Sequence, residues 1–327
     1  MRILVTGGAG FIGSHLVEQL LSLGHKVVTL DDLSTGKLTF LQDVINHPNH
    51  VFVRGSVLER SLLNEVMDGC EVVFHLAAVL GVKNTVENPL KVIEGNIDGT
   101  RNVLELAYPR KTKVIFASTS EVYGKNECLP FREDSNRILG STKKNRWCYA
   151  TAKALDEHFC FAYAEKGLPV TVVRYFNAYG PRANVSQYGG VIPKFITQAI
   201  AGDPISVYGD GEQTRCFTYI DDTIRGTIAC IDHQHNNEVY NIGIDNVISI
   251  NQLAKKIKEL SDSNSQIIYI PYKSVYGEGY EDTPNRRPDL SKAKQKLNFQ
   301  PTTKIDEGLR KTIAWYRKNG MENSSVQ

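Results

Sequence analysis

Two residues near the middle of the chain have types and spacing that could perform acid–base chemistry. Tyr149 and Lys153 are four positions apart at the start of a helical pattern over residues 149–166, so they share one face of the predicted helix. A free phenol titrates near pH ~10, and a neighbouring ammonium favours the phenolate and lowers that pKa. The pair could therefore serve as a base near neutral pH. The alternative interpretation is an ordinary Tyr and Lys pair on a solvated helix face.

A second group of reactive side chains follows an apolar run at residues 114–117, which predicts a buried strand. Ser118, Thr119, Ser120 and Glu121 come directly after this run. A strand that ends in hydroxyl groups and a carboxylate, next to a helix that begins with Tyr and Lys, is a candidate active site. The alternative for the carboxylate is a capping box, because Ser118-x-x-Glu121 fits that pattern. The glycine and the polar run that follow argue against a helix start there.

The beginning of the chain has the order strand, glycine turn, helix, strand and acid. Gly7, Gly10 and Gly13 follow an apolar run at residues 2–6. Such glycines let the backbone approach a pyrophosphate, which then lies at the helix N-terminus, where N–H groups and the helix dipole favour anions. Asp31 lies 18 residues after Gly13, close to the roughly 20 expected for the acid that binds the adenosine ribose. A carboxylate there would repel a 2′-phosphate, so the pattern predicts NAD over NADP; the alternative is a turn whose glycines serve packing alone.

The composition indicates a globular protein without a strong charge bias. Its 327 residues suffice for about two domains. The 38 basic and 36 acidic side chains give a net charge of +2, which favours neither nucleic acid nor a membrane surface as a partner. No apolar run approaches the length of a membrane span, and the first strand leaves no room for a signal peptide. We therefore expect a cytoplasmic protein.

The six cysteines include no Cys-x-x-Cys spacing, so neither a metal site nor a disulfide framework is predicted. Cys70, Cys160 and Cys230 fall in apolar surroundings and are expected to be small core residues. His75 also lies inside an apolar run, and we interpret it as a core histidine.

Strands and helices alternate over the first 174 residues, which predicts a doubly wound parallel sheet. Predicted strands are at residues 2–6, 27–30, 51–53, 72–76, 114–117 and 170–174, and helices at 14–23, 62–67, 96–107 and 149–166. Small residues at Ala77 and Ala78 would let a cofactor lie close to the end of the fourth strand.

After residue 174 the predicted elements are shorter. Strands are predicted at residues 205–208, 215–219 and 239–242, the last returning to the main sheet, and helices at 191–201, 221–231, 249–260, 291–297 and 305–318. Asp221 and Ser249 are predicted N-caps. Residues 271–288 form a long polar loop, and such loops are often functional.

Together these residues resemble the extended short-chain dehydrogenase/reductase family of nucleotide-sugar epimerases, dehydratases and decarboxylases. The resemblance extends from Gly7-x-x-Gly10-x-x-Gly13 to Asn285-Arg286-Arg287-Pro288-Asp289. It implies a Rossmann-like domain over residues 1–174 that holds NAD permanently, and a smaller α/β domain over residues 175–318 that holds a nucleoside diphosphate sugar. A flexible tail over residues 319–327 and a homodimer through the helices near 96–107 and 149–166 are also expected.

The resemblance assigns roles residue by residue. Tyr149 would take the proton of the sugar 4-hydroxyl, Lys153 would lower the pKa of Tyr149 and hold the nicotinamide ribose, and Thr119 would hydrogen-bond the sugar hydroxyl. Arg286 matches an arginine near the substrate carboxylate. The implied catalytic residues are Thr119, Ser120, Glu121, Tyr149, Lys153 and Arg286.

The resemblance also implies two sets of binding residues. The NAD site would comprise Gly7, Gly10, Phe11, Ile12, Gly13, Asp31, Ser34, Gly36, Ser56, Val57, Leu76, Ala77, Ala78, Asn96, Tyr149 and Lys153. The substrate site would comprise Asn177 and Arg215 for the diphosphate, Tyr208 for the nucleobase, and Arg182, Val191, Gln213 and Arg286. One departure is Gly55-Ser56-Val57, where relatives often have Gly-Asp, so an adenine contact there is weakened or replaced.

Glu121 directs the choice of reaction. In similar 4-epimerases this position is usually not acidic, so an acid suggests chemistry at carbon 5. Thr-Ser-Glu occurs in GDP-mannose 4,6-dehydratases and in UDP-glucuronate decarboxylases, including the decarboxylase domain of the lipid A aminoarabinose pathway. Arg146-Trp147, the length of the insertion before Tyr149, and the run from Tyr276-Gly277-Glu278-Gly279-Tyr280-Glu281-Asp282 to Arg286-Arg287-Pro288 resemble the decarboxylases.

The sequence thus predicts an NAD-dependent enzyme that acts on a UDP-sugar through a 4-keto intermediate, with UDP-glucuronate decarboxylase favoured. One alternative is a 4,6-dehydratase, or a related enzyme acting at carbons 5 and 6 of an N-acetylated UDP-sugar, in which Glu121 would abstract the carbon-5 proton. A 4-epimerase and a non-catalytic NAD-binding regulator are further alternatives, although Thr119, Tyr149 and Lys153 together argue against the regulator. Whether the ketone is reduced or released stays open.

Overall fold

A parallel sheet with helices on both faces organises the fold. The computed structural model describes residues 1–183, 190–276, 281 and 283–319. Its strands are β1 (Arg2–Thr6), β2 (Lys26–Asp31), β3 (His50–Arg54), β4 (Val72–His75), β5 (Lys113–Thr119), β6 (Val170–Tyr175), β7 (Ala178–Tyr179), β8 (Ile205–Tyr208), β9 (Thr214–Cys216), β10 (Thr218–Tyr219), β11 (Glu238–Ile242), β12 (Val247–Ser249) and β13 (Ile267–Ile270). The predicted strands lie within two residues of their predicted positions, whereas β7, β12 and β13 were not predicted.

The predicted helices occur in the predicted order, and two further helices were not predicted: one at Val82–Glu87, and one at Tyr272–Tyr276 within the segment predicted as a loop. The helices are α1 (Phe11–Ser22), α2 (Arg60–Val66), α3 (Val82–Glu87), α4 (Pro89–Arg110), α5 (Cys148–Glu165), α6 (Val191–Ala201), α7 (Ile220–Ala229), α8 (Ile250–Leu260), α9 (Tyr272–Tyr276), α10 (Ser291–Leu297) and α11 (Ile305–Asn319). Helix α4 begins seven residues before the predicted start at 96, because Pro89 occupies the first helical turn, where its missing N–H costs nothing.

Seven strands form the main sheet in the order β11-β6-β5-β4-β1-β2-β3, and every pair in it is parallel. The predicted doubly wound, Rossmann-like fold is therefore confirmed. The strand at Glu238–Ile242 returns to this sheet beside β6, as predicted. In a sheet of this kind the ligand lies at the carboxyl ends of the strands, where the strand order reverses next to β1.

Both faces of the sheet are covered by apolar side chains. Ile3 and Val5 of β1 belong to one core cluster, together with α1, and Leu4 belongs to the other, together with α4 and α5. This alternation explains why the strands are nearly continuous apolar runs. His75 is buried and hydrogen-bonded between Thr6 and Thr100, which confirms a core histidine.

Three smaller details concern the predicted core cysteines and caps. Cys70, Cys160 and Cys230 are buried, as predicted. Ser249 is the N-cap of α8 and forms a capping box with Gln252, as predicted. The prediction of Asp221 as an N-cap is wrong, because α7 begins at Ile220 and Asp221 lies in its first turn, where a carboxylate still complements the helix dipole.

The part after β6 is built from two-stranded sheets that pair distant segments. β8 pairs with β13 in parallel, β9 pairs with β12 in antiparallel, and β7 pairs with β10. The single strand predicted at residues 215–219 is two strands, β9 and β10. The division into domains at residue 174 stays a prediction, and residues 320–327 of the predicted tail lie outside the described residues. Among the helices of the described residues, none combines the length and the hydropathy of a membrane span.

Candidate active site

The glycine turn after β1 is packed too tightly for a side chain. Gly7 has φ of +72°, and a Cβ atom there would lie 2.8 Å from the backbone nitrogen of Ala77. A Cβ atom on Gly13 would lie 2.1 Å from the carbonyl oxygen of Gly7. Helix α1 begins directly after Gly10, and its first-turn N–H groups, on residues such as Phe11 and Ile12, lack intrahelical acceptors. The turn therefore fits a dinucleotide pyrophosphate.

Asp31 is held beside this glycine turn. Its Oδ2 accepts a hydrogen bond of 2.9 Å from Ala9 N, and its Oδ1 accepts one of 2.8 Å from Leu33 N. Burial raises the pKa of its carboxyl group above the ordinary value. A Cβ atom on Gly36 would come within 2.9 Å of Asp31 Oδ1, so this position admits no side chain beside the carboxylate. The ribose-binding role of Asp31 stays a prediction.

The other predicted cofactor residues lie along or near the same edge of the sheet. Leu76 and Ala77 are held by Thr6, which accepts from both backbone nitrogens, with its carbonyl and its hydroxyl oxygen respectively. The Asn96 side chain bonds both backbone groups of Val79, and so fixes the loop that contains Ala78. Val57 packs against α4, and Ser56 and Ser34 lie in the loops that follow β3 and β2.

The end of β5 places the predicted catalytic hydroxyls. Thr119 is the last residue of the strand and caps a short 3₁₀ turn at Ser120–Tyr123, accepting from Glu121 N at 3.2 Å. The Ser118 hydroxyl instead donates to Glu157 Oε1 at 2.5 Å. Ser118-x-x-Glu121 is thus not a capping box, and the Glu121 side chain is available for another role.

Tyr149 lies in the first turn of α5 and is half-buried. Burial, together with the nearby carboxylates of Glu121 and Asp156, raises the pKa of its phenol. The prediction that Lys153 lowers this pKa is therefore wrong for the protein alone, because desolvation and two negative charges raise it. Lys153 is buried, with Nζ 4.1 Å from the centre of the Phe116 ring, and burial lowers the pKa of its ammonium group.

Glu121 is clamped between two arginines. Arg286 Nη1 lies 2.5 Å from Oε1, and Arg146 Nη1 lies 2.6 Å from Oε2. The side chains of Glu121, Arg146 and Arg286 are 20%, 10% and 7% exposed. Burial opposes ionisation, but the two guanidinium groups outweigh it and hold the pKa of Glu121 far below its usual range. Glu121 is therefore a permanent negative charge.

Arg146 is a site residue that sequence reasoning did not select. The signal for it was its position, three residues before Tyr149, within a segment that resembles decarboxylases. Its guanidinium carbon lies 5.2 Å from the centre of the Trp147 ring. The indole N–H of Trp147 in turn donates to Glu281 at 2.9 Å.

A buried polar network supports the end of β5 from behind, and it too was missed. Arg174 donates from Nε and Nη2 to both oxygens of Glu157, at 2.9 and 2.7 Å. Its Nη1 donates to the Tyr123 hydroxyl at 2.9 Å, and that hydroxyl donates to Asn241. Because Glu157 also accepts from Ser118, the network joins β5, α5, β6 and β11 around the site.

Tyr208 and Gln213, both predicted substrate residues, lie side by side. Gln213 Nε2 donates to Tyr208 O at 3.1 Å and to the Tyr272 hydroxyl at 2.8 Å. The Nζ atom of Lys194, which was not predicted, lies 3.4 Å from the centre of the Tyr208 ring, and burial lowers its pKa to about 8. Val191 is the first residue of the helix that carries Lys194.

Arg215 connects the substrate side to the segment that carries Arg286. Its Nη1 donates to Pro284 O at 3.1 Å. Asn177 lies next to the same strand region, with Nδ2 3.3 Å from Cys216 O. Arg182 differs from these residues, because it contacts helix α1 through an ion pair of 2.6 Å with Glu18. That ion pair does not favour the predicted substrate role of Arg182.

Glu281 fastens the segment before Arg286 to the insertion before Tyr149. It accepts from Lys144, from Lys125 at 2.6 Å and from Trp147, and these hydrogen bonds lower its pKa to about 2. Residues 277–280 and 282 of the motif predicted here lie outside the described residues. Across the part of the chain that is described, no group of three or more His, Cys, Asp or Glu side chains is arranged to hold a metal ion.

Comparison with known proteins finds relatives that are named for reactions of UDP-sugars. UDP-N-acetyl-alpha-D-glucosaminuronate decarboxylase of Bacillus cytotoxicus is 49% identical over 317 residues, which cover 97% of this chain and 98% of that protein. UDP-glucuronic acid decarboxylase 1 of Xenopus tropicalis is 38% identical and covers 97% of this chain and 72% of that one. The crystal structure of UDP-glucuronic acid 4-epimerase from Bacillus cereus, in complex with UDP-glucuronic acid and NAD, has a TM-score of 0.87 at 32% identity and covers 97% of this chain and 99% of that chain.

A family model described as the NAD dependent epimerase/dehydratase family matches residues 3–243. This range contains the glycine turn, Asp31, Tyr149 and Lys153. NAD is thus the cofactor, as the position of Asp31 predicted, and the resemblance stated from the sequence is confirmed. The chain is an enzyme of the NAD-dependent epimerase/dehydratase family.

Proposed function

We propose that this protein decarboxylates a UDP-linked glucuronate through a 4-keto intermediate. The observation that carries the proposal is the cluster of Arg286, Glu121 and Arg146 beside Tyr149. Two guanidinium groups share one carboxylate there, so the cluster retains a positive charge that suits a second carboxylate. A uronate supplies such a carboxylate one bond from carbon 5.

Oxidation at carbon 4 comes first. When bound, NAD supplies the chemistry of accepting a hydride and returning it. Tyr149 takes the proton of the 4-hydroxyl, and Thr119, at the end of β5, hydrogen-bonds the same oxygen. Lys153 is buried one helical turn from Tyr149, where its ammonium group would hold the nicotinamide ribose.

The resulting ketone is beta to the carboxylate. The bond between carbons 5 and 6 then breaks, its electron pair moves into an enolate on the carbon-4 oxygen, and carbon dioxide leaves. Tyr149 and Thr119 can donate hydrogen bonds to that oxygen as charge develops. Carbon 5 takes a proton from water. Reduction of the ketone to a UDP-pentose would then need a hydride on carbon 4, which bound NADH would supply, and a proton on the carbon-4 oxygen, which Tyr149 gives back.

The state of Glu121 argues against a 4,6-dehydratase. That reaction needs a base for the carbon-5 proton, and an effective base has a pKa near the working pH. Arg286 and Arg146 keep the pKa of Glu121 far below that range. A 4-epimerase needs no acid at this position, and a 4-epimerase of a neutral UDP-sugar would leave both arginines without a function in the reaction.

Two sugars fit the proposal. The 38% identity to the Xenopus protein supports UDP-glucuronate, and the 49% identity to the Bacillus protein, over nearly the full length of both chains, supports its 2-acetamido analogue. Because the higher identity belongs to the second, we expect faster turnover of the 2-acetamido sugar. Both carry the same carboxylate at carbon 5, so the mechanism is shared.

Mass spectrometry of the products tests the proposal. UDP-glucuronate, UDP-N-acetylglucosaminuronate, UDP-glucose and UDP-N-acetylglucosamine are each incubated with the enzyme and NAD, with Tyr149→Phe as the inactive control. Loss of carbon dioxide from a uronate is expected. Loss of water from a neutral sugar would indicate a dehydratase, and an isomer of unchanged mass would indicate an epimerase; either would refute the proposal.

We further propose that the protein acts in the cytoplasm as a homodimer, through α4 and α5. An exposed leucine on α5, Leu155, supports this surface. Light scattering after gel filtration should give a dimer for the wild type and a monomer for Leu155→Glu. Leu58→Glu, a similarly exposed leucine outside these helices, is the matched control and should leave the dimer intact.

A further inference from the structure

We propose that Glu121 acts as a fixed negative charge that repels the substrate carboxylate, and that Arg146 is the positioning residue that holds Glu121 while Arg286 binds the substrate. The inference rests on the proposed decarboxylation. It gives Glu121 an electrostatic role in the loss of carbon dioxide, and it gives Arg146 a function of its own.

The geometry separates the two arginines. Each contacts a different oxygen of Glu121, Arg286 at Oε1 and Arg146 at Oε2. If Arg286 turns toward the carboxylate of the substrate, Arg146 still pairs with Oε2 of Glu121. Arg146 is fixed in the turn that leads into α5, beside the ring of Trp147 and three residues before Tyr149. The element that positions the base therefore also positions the charge.

The charges of these three groups define what the substrate meets. Two guanidinium groups and one carboxylate sum to +1, so a uronate is attracted to the cluster. Its carboxylate, once at Arg286, shares that guanidinium with Glu121, and two carboxylates at one site disfavour each other's charge. The low exposure of all three side chains leaves little water to screen this repulsion.

Loss of carbon dioxide relieves the repulsion. As the bond between carbons 5 and 6 breaks, the negative charge moves from the carboxylate to the carbon-4 oxygen beside Tyr149 and Thr119, and the departing carbon dioxide is neutral. Glu121 therefore destabilises the bound uronate more than the transition state. An interaction of this kind accelerates the chemical step while it weakens binding of the substrate.

This mechanism predicts opposite effects on binding from two neighbouring substitutions. Binding is measured by calorimetry in a Tyr149→Phe background loaded with NAD, with UDP-glucuronate and the neutral UDP-glucose as probes. Glu121→Gln should bind UDP-glucuronate roughly tenfold more tightly, because the substitution removes a repulsion equivalent to about one pKa unit. Its affinity for UDP-glucose should not change. Arg146→Gln should weaken UDP-glucuronate binding by a similar factor, because Glu121 then competes for Arg286.

The same substitutions in the enzyme that retains Tyr149 measure the chemical step. Glu121→Gln should still form NADH on mixing with the uronate, while carbon dioxide release falls roughly 10- to 100-fold. The double variant Glu121→Gln, Arg146→Gln restores the charge sum to +1, so its affinity should return toward the wild-type value while release stays slow. Arg146→Lys should recover part of the affinity that Arg146→Gln loses. Arg132→Gln, an exposed arginine paired with Asp134 in the same insertion, is the control and should leave both readouts unchanged.

Three results would overturn the inference. Glu121→Gln that binds UDP-glucuronate no more tightly than the wild type would remove the repulsion, and unchanged carbon dioxide release by that variant would remove its catalytic value. Equal weakening of UDP-glucuronate and UDP-glucose in Arg146→Gln would reduce Arg146 to a structural role. A wild-type enzyme that releases no carbon dioxide from either uronate would instead refute the proposed function itself. A variant that does not fold is recognised by its thermal melt and replaced by Glu121→Ala or Arg146→Met.

Discussion

The ammonium nitrogen of Lys153 lies 4.0 Å from Oδ2 of Asp156, one turn along α5, and both side chains are buried beneath the candidate active site. Burial raises the pKa of the Asp156 carboxyl group to about 7, and Lys153 opposes that rise. Asp156 also raises the pKa of the Tyr149 phenol. A carboxylate outside the predicted catalytic set thus acts on both members of the Tyr149 and Lys153 pair.

Asp156→Asn should raise the free energy of unfolding above the wild-type value, and this increase should be larger at alkaline than at acidic pH. Because the folded pKa of this acid is raised from 3.8 to about 7, the native state binds more protons than the unfolded state within that window, and wild-type stability falls as pH rises through it. Asparagine mimics the protonated acid. The free energy of unfolding that the variant gains over the wild type should therefore grow with pH to a few kcal/mol, at about 1.4 kcal/mol per pKa unit.

Thermal melts at pH ~5 and ~8 check this. Glu157→Gln is the control, because Glu157 is paired with Arg174 and its loss should destabilise the protein at both pH values. An equal gain for Asp156→Asn at both pH values would contradict the prediction.

Tyr149→Phe should keep the fold and the bound NAD but lose turnover by roughly 100-fold or more, the scale of general-base catalysis. Because burial, Glu121 and Asp156 raise the pKa of the phenol, the rate of NADH formation by the wild type should rise with pH. Removing either carboxylate should move that rise to lower pH. Stopped-flow measurements of NADH absorbance across pH would test this, and a profile of Glu121→Gln that matched the wild type would exclude the coupling.

Asp31→Ser should weaken NAD binding and reduce the discrimination against NADP. The substitution removes the carboxylate that accepts from Ala9 N and Leu33 N, and with it the charge that repels a 2′-phosphate. Asp32→Ser is the matched control, because Asp32 is exposed and lies one residue further on. Titration of the apoprotein with both dinucleotides gives the ratio of affinities. Wild-type protein that bound NADP more tightly than NAD would show that Asp31 has been assigned the wrong role.

Glu281→Gln should raise the Michaelis constant of the uronate several-fold with a smaller effect on the turnover number. The substitution weakens three contacts, to Lys125, Lys144 and Trp147, that fasten the segment before Arg286 to the insertion before Tyr149. The measurement is steady-state kinetics, with Asp134→Asn as a control for an exposed ion pair in the same insertion. A fall in turnover number alone would place Glu281 in the chemical step.

Features that depend on neighbouring residues could be predicted from the order of the amino acids. Alternating apolar runs and helical patterns specify the parallel sheet, because each element must bury one face against the next. The glycine turn and Asp31 specify NAD, because backbone conformation and the distance along one β-α-β unit are local properties. In the same way, the helical pattern places Tyr149 and Lys153 on one helix face, and the apolar run before residue 118 places Thr119 at the end of a strand.

The electrostatics of the site could not be predicted in this way, because they depend on contacts between segments that are far apart in the sequence. Arg286 meets Glu121 across 165 positions of the sequence, and Arg146 meets the same carboxylate from the insertion, so no local pattern indicates that the two arginines converge. The sequence predicted a lowered pKa for Tyr149 from Lys153 alone. Folding instead raises that pKa, because it removes water from the phenol and brings Glu121 and Asp156 near it. A pKa depends on burial and on every nearby charge, and both are properties of the folded chain.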